Sequence, residues 1–169
     1  MSSLIIRNAD IASEQSNELT HADVLVENGV ITAVGQGIDS PQDAKEIDAT
    51  GKVLVPAMFD THIHMREPGQ ESKETIKTGT EAAINGGVTG VVLMPNTSPA
   101  IDSAAMVRTV HDIAQRDSRI PVFTSGCITK GREGKELAGI DGMLSLGVKM
   151  LTDDGDAVPD MSLLKRAME

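Results

Sequence analysis

A chain of 169 residues is long enough for one domain with a sizeable core, or for one domain and a piece of another. Its 15 Lys and Arg against 25 Asp and Glu give a net charge of −10, which repels nucleic acid and anionic lipid. With no Trp, no Tyr and only Phe59 and Phe123, it offers no platform for stacking bases.

In chain order, the first 58 residues read as short strands separated by turns. Leu4 to Asn8, Ala22 to Glu27, Val30 to Val34, Glu46 to Asp48 and Lys52 to Val55 carry β-branched alternation, and Asn28-Gly29 is a hairpin signal. Ser13 to Thr20 and Gly35 to Ala44 read as polar loops, with His21 at a loop edge and without a role. Residues 1–57 are thus expected to form a small β module in which no catalytic residue types converge. The N-terminus lacks a basic region followed by a long apolar one, and no apolar run reaches about 18 residues. The single Cys127 reads as a small buried hydrophobe and suits a reducing compartment, so a soluble cytoplasmic protein is expected.

From Phe59 a strand and a helix repeat about every 30 residues, the length of a βα unit. The expected strands are Phe59 to His64, Val88 to Met94, Ile120 to Ile128 and Val148 to Thr152. The expected helices run from Ser72 to Asn85, from an N-cap at Asp102 to Asp117, from Gly134 to Leu146, and from near Asp160 to Glu169. His111 lies beside the apolar stripe of the second helix and reads as a structural residue. Four apolar strands with histidines and aspartates at their ends predict an α/β fold, a partial TIM-type barrel over residues 58–169. A complete (β/α)₈ barrel needs about 250 residues, so the chain reads as an N-terminal fragment holding about the first four units.

The first of these strands carries the densest chemistry. Side chains alternate along a strand, so His62 and His64 are expected on one face, with Asp60 behind them. Two imidazoles about 7 Å apart on one strand face are able to bend onto one ion. A bare His-x-His is as readily a pair of hydrogen-bonded, partly buried histidines.

Asp60-x-His62-x-His64-x-Arg66-x-Pro68-Gly69, Met94-Pro95-Asn96-Thr97, Ile128-Thr129-Lys130-Gly131 with Gly134-Lys135-Glu136, and Thr152-Asp153-Asp154-Gly155 together resemble the type I dihydroorotases of the amidohydrolase superfamily. The resemblance covers the whole chain, in order. It implies that the first 57 residues contribute to a β-sandwich beside the barrel. It also implies one or two zinc ions per complete site, used to activate water and polarise a cyclic amide carbonyl. His62 and His64 would hold the first metal together with Asp154, chosen over its neighbour Asp153 by motif register. Lys149 is a weaker candidate for a carbamylated bridge. Arg66 and Asn96 would bind the substrate carboxylate. The run Lys130 to Lys135 reads as a solvated loop.

The reaction so implied is the reversible cyclisation of N-carbamoyl-L-aspartate to dihydroorotate in pyrimidine biosynthesis. The remaining metal histidines and the general-base aspartate would lie beyond Glu169, so no catalytic acid or base is assigned within the chain. The chain alone is expected to bind zinc weakly and to lack appreciable activity. Two other readings stand beside this one: an allantoinase or other cyclic amidohydrolase, and a non-catalytic dihydroorotase-like scaffold of aspartate transcarbamoylase. Expected partners are a small carboxylated substrate, aspartate transcarbamoylase and further copies of the chain.

Overall fold

The computed structural model describes residues 3–13 and 16–169, which fall into two units, Met1–Pro56 and Ala57–Glu169. In the first, β1 (Ser3–Ser13), β2 (Ser16–Glu27) and β3 (Val30–Gly35) pair antiparallel, while β4 (Lys45–Asp48) and β5 (Val53–Leu54) pair with β1 in parallel. Asn28 and Gly29 have φ of 51° and 80°, the two left-handed positions of a two-residue type I′ turn. Ile5, Ala9, Ala22, Val24 and Leu25 are buried in this sheet.

The loop expected over Ser13 to Thr20 is instead largely strand. β1 and β2 stay paired from Ser3↔Glu27 out to Ser13↔Ser16. Polar side chains on an exposed ribbon look like loop in the sequence, but the ladder satisfies their backbone whatever the side chains are. His21 sits on this ribbon opposite Asp10, with Nδ1 2.9 Å from the carboxylate. Glu14 and Gln15, within the expected loop, lie outside the described residues, as do Met1 and Ser2.

One buried carboxylate fixes the bulge in β1. Asn8, at φ 59°, donates its backbone N–H to Asp23 Oδ1 at 2.9 Å, and Arg7 Nη1 donates to Asp23 Oδ2 at 2.9 Å. These bonds hold the Asp23 carboxyl below its usual range, the backbone N–H contributing most and the guanidinium next. A carboxyl lowered by folding stabilises the native state above its unfolded value of about 3.9, and that contribution disappears as pH falls through the lower folded value. Asp23→Asn is therefore expected to destabilise the protein at neutral pH and to flatten the acid limb of a stability–pH curve from thermal melts.

The second unit is built on a parallel sheet of β6 (Met58–Ile63), β7 (Val88–Leu93) and β8 (Val122–Thr124), in that order. Helices α1 (Ile76–Asn85) and α2 (Ala104–Asp117) connect them, followed by α3 (Ile140–Leu144) and α4 (Met161–Met168). Val91 and Leu93 bury one face of the sheet against Ile76, Val107 and Val110, with Met65, Ile101, Cys127 and Met143 in the same core. The other face is open: the Phe59 and Phe123 rings, 5.8 Å apart, are each half exposed.

Three helices and one strand depart from the expected boundaries. α1 begins at Ile76, because Thr75 and Thr78 form a capping box and end the preceding turn there. α2 is entered from Ser103; Asp102 instead accepts the Gly131 N–H at 3.0 Å and ties the helix start to the loop after β8. The helix expected from Gly134 shrinks to Ile140–Leu144. Gly134 is left-handed at φ 69°, and a Thr129↔Leu137 antiparallel bridge draws residues 129–137 into a loop excursion. The fourth expected strand is reduced to a parallel bridge, Gly126↔Leu151.

Candidate metal centre

The C-terminal end of β6 presents the two histidines through a bulge. Pairing with β7 runs Phe59↔Gly90, Asp60↔Val91, then Ile63↔Leu93, so β6 advances three residues where β7 advances two. The extra residue reverses the alternation: Asp60 keeps the register of buried Val91, and His62 and His64 continue the open face that carries Phe59. Asp60 thus does not back the histidines as simple alternation suggests. Its Oδ1 accepts the His62 N–H at 2.9 Å and holds the bulge.

Asp154 reaches the histidines from a different loop. His62 Nε2 lies 3.1 Å from Asp154 Oδ1, His64 Nδ1 lies 3.8 Å from Asp154 Oδ2, and the two rings stand 5.2 Å apart at 68°. Among the described residues these three form the one group of His, Cys, Asp or Glu whose ligand atoms all lie within 4.8 Å of one another. Two imidazoles and a carboxylate are a donor set suited to a divalent ion such as zinc, with room left for further ligands.

Asn96, just past β7, joins the group through both ends of its amide. Oδ1 is 3.0 Å from His64 Nδ1, and Nδ2 donates to Asp154 Oδ2 at 2.6 Å. Arg66 is placed differently. β6 ends at Ile63 and Arg66 has φ 57°, so strand alternation does not extend to it. Its partly buried guanidinium has no hydrogen bond or ion pair within the described residues, leaving its donors free.

Asp153 and Asp154 divide two tasks between them. Asp153 is buried, its Oδ1 accepting the N–H groups of Ile128 and Thr129 at 2.8 and 3.0 Å and its Oδ2 the Thr129 hydroxyl at 2.5 Å. Asp154, at φ 37°, turns the other way toward the histidines. Arg132 donates to both their carbonyls, from Nε to Asp153 O at 2.8 Å and from Nη2 to Asp154 O at 2.6 Å. In the sequence Arg132 falls within a run, Lys130 to Lys135, that reads as a solvated loop. Flanking Gly131 and Gly134 hint at a tight turn, but carbonyl acceptors leave no mark in a sequence.

The other candidates stay apart from the group. Lys149 is exposed, beside Val92 and Phe123. Cys127 is buried and its thiol is pushed up to about 12, chiefly by burial, which suits a packing role. His111 lines a surface cavity with Gln115 and Arg119.

A family model described as Dihydro-orotase-like matches residues 51–169. The chain belongs to that dihydroorotase-like family. It is 44% identical over 165 residues to a dihydroorotase of Thermoanaerobacter sp. (strain X514), and 39% over 166 residues to one of Citrifermentans bemidjiense. These alignments take in 98% of the chain but only 38% and 39% of the two relatives, so the chain spans well under half the length of the curated dihydroorotases it matches. Its fold is similar to that of the L-hydantoinase from Arthrobacter aurescens, with a TM-score of 0.76 and 23% identity over 89% of this chain and 32% of that one. A D-hydantoinase from Thermus sp. superposes with a TM-score of 0.67 and 28% identity, covering 85% of this chain and 30% of the other. Among the described residues no helix is long and apolar enough to cross a membrane.

Proposed function

We propose that the chain carries the first-metal half of a zinc-dependent dihydroorotase site, in a protein that interconverts N-carbamoyl-L-aspartate and dihydroorotate. The observation that carries this reading is the convergence of His62 and His64, from the end of β6, with Asp154, from a separate loop, within a chain of the dihydroorotase-like family. In the same reading β6, β7 and β8 are the opening strands of a TIM-type barrel, whose lumen would bury the Phe59–Phe123 pair, and residues 1–57 contribute to a β-sandwich.

Zinc held there supplies Lewis acidity, polarising a carbonyl and acidifying water. The chain's own residues bind and orient. Arg66 offers a planar fork to the substrate carboxylate, which fixes the ring relative to the metal side chains. Asn96 spends one amide hydrogen on Asp154 and keeps a second for the same carboxylate. An uncarboxylated ring would leave both donors unpaired, and this is how the site would reject dihydropyrimidines that lack the carboxylate, such as dihydrouracil.

The test uses the intact gene product isolated from its own cell and loaded with zinc. It should open dihydroorotate far faster than dihydrouracil or allantoin. Arg66→Ala should lower kcat/KM for dihydroorotate at least about tenfold, the worth of one charge-assisted hydrogen bond, and leave dihydrouracil little changed. Equal turnover of carboxylated and uncarboxylated rings would overturn the substrate assignment. Co-purifying mass in that preparation would report aspartate transcarbamoylase or further copies of the protein as partners.

A further inference from the structure

We propose that Arg132 is a positioning residue for the metal centre: it clamps the Asp153–Asp154 bend in the conformation that turns the Asp154 carboxylate onto His62 and His64. The inference rests on the reading of those three side chains as metal ligands.

Asp154 needs a restraint. A non-glycine residue at φ 37° is uncommon, and such a backbone costs about 1–3 kcal/mol unless its surroundings enforce it. Three sets of bonds enforce it here. Thr152 Oγ1 accepts the Asp154 N–H at 2.9 Å. The buried Asp153 carboxylate is saturated by Ile128 and Thr129, which pins the preceding residue to the loop after β8. Arg132 closes the arrangement from the same loop, spanning the carbonyls of both aspartates and reaching Asp156 Oδ2 at 2.7 Å.

The geometry of the donor matters. One guanidinium presents Nε and Nη2 in a rigid fork, so the two carbonyls are held at a fixed separation and orientation. Lysine, with a single ammonium, cannot set both. Arg132 itself is left-handed at φ 63°, between Gly131 at φ 57° and Gly134 at φ 69°, so the loop is bent to bring this side chain back under the aspartates. Neither Nε nor Nη2 points at an anionic group of the metal cluster. Arg132 therefore acts on the ligand through its backbone, with its charge paired to Asp156.

Zinc affinity of the chain, measured by competition with a chromophoric chelator, tests the clamp. Arg132→Ala should weaken binding by about 10- to 100-fold, the usual cost of losing a group that orients a ligand. Arg132→Lys should lose less, and millimolar guanidinium should restore part of the alanine variant's affinity, which a general loss of structure would not allow. On an Asp154→Asn background, Arg132→Ala should cause no further loss. Unchanged affinity in Arg132→Ala, or an equal loss in both backgrounds, overturns the proposal.

Should the unsubstituted chain bind no zinc, the metal reading itself falls, and the clamp is then judged on backbone hydrogen exchange. Arg132→Ala should speed exchange over residues 126–131 and 152–156 by about tenfold, leaving α1 and α2 protected as before. Unchanged exchange in those segments overturns the clamp.

Discussion

Asp154→Asn is expected to weaken zinc binding by about 100-fold while leaving the fold intact. Binding of zinc to a four-ligand protein site is worth about 10–16 kcal/mol, so one ligand accounts for about 3 kcal/mol, or two orders of magnitude. Asparagine is the right replacement because it tolerates the left-handed backbone that Asp154 adopts at φ 37°. It keeps the size of the side chain and removes only the charge and one acceptor. Asp153→Asn should behave in the opposite way. Its carboxylate takes three donors in a buried setting, and an amide there would set an NH₂ against the Thr129 hydroxyl. That costs stability, about 1–3 kcal/mol, with a smaller effect on the ion. Chelator competition and thermal melting on the two variants separate the roles; zinc loss in Asp153→Asn alone would exchange the assignments.

These neighbouring aspartates also show where the sequence stops being informative. Thr152-Asp153-Asp154-Gly155 separates the two carboxylates only by motif register, and a strand-alternation argument cannot apply where the fourth strand is reduced to the Gly126↔Leu151 bridge. What separates the two is tertiary: backbone donors at Ile128 and Thr129, and a guanidinium beneath the bend. His62 and His64 were legible as a pair because they flank Ile63, where pairing with Leu93 resumes and both histidines alternate with it. Asp60 precedes the register shift, so simple alternation puts it on the histidines' face, and the inserted residue that overturns this is invisible without the partner strand.

The same division runs through the rest of the chain. The N-terminal hairpin was legible at Asn28-Gly29 because turn type depends on local left-handed conformation, which those two residues supply. The helix expected from Gly134 was not, because apolar spacing between 134 and 146 competes with three glycines, Gly134, Gly139 and Gly142, and with a Thr129↔Leu137 bridge. Asn96 was legible as a polar residue after β7, yet its grip on both His64 and Asp154 depends on loops far apart in sequence.

Gly69→Ala is expected to be the most destabilising single-methyl change in the second unit, costing about 3–5 kcal/mol. Gly69 lies at φ 94°, and a Cβ there would stand 1.8 Å from the Ser98 carbonyl oxygen and 2.7 Å from its carbon. Those atoms are backbone, so no rotamer change relieves the overlap. They are held in place as well: Ser98 N–H donates to Pro68 O at 3.0 Å, and Gly69 N–H to Glu71 Oε1 at 2.6 Å. Gly147 provides the control, at nearly the same φ of 93° but with nothing within 4 Å of its would-be Cβ. Gly147→Ala should cost only the left-handed strain, about 1–2 kcal/mol, so the difference between the variants measures the clash. Because Gly69 and Ser98 lie in the loops that carry Arg66 and Asn96, the methyl group must also push these two side chains apart. Thermal melts of both variants check the energetic claim; a Gly69→Ala protein that melts with Gly147→Ala would show that the loops after β6 and β7 separate without cost. If the loops separate but the fold survives, the zinc affinity should fall with them, since Asn96 spans His64 and Asp154 from the loop that moves.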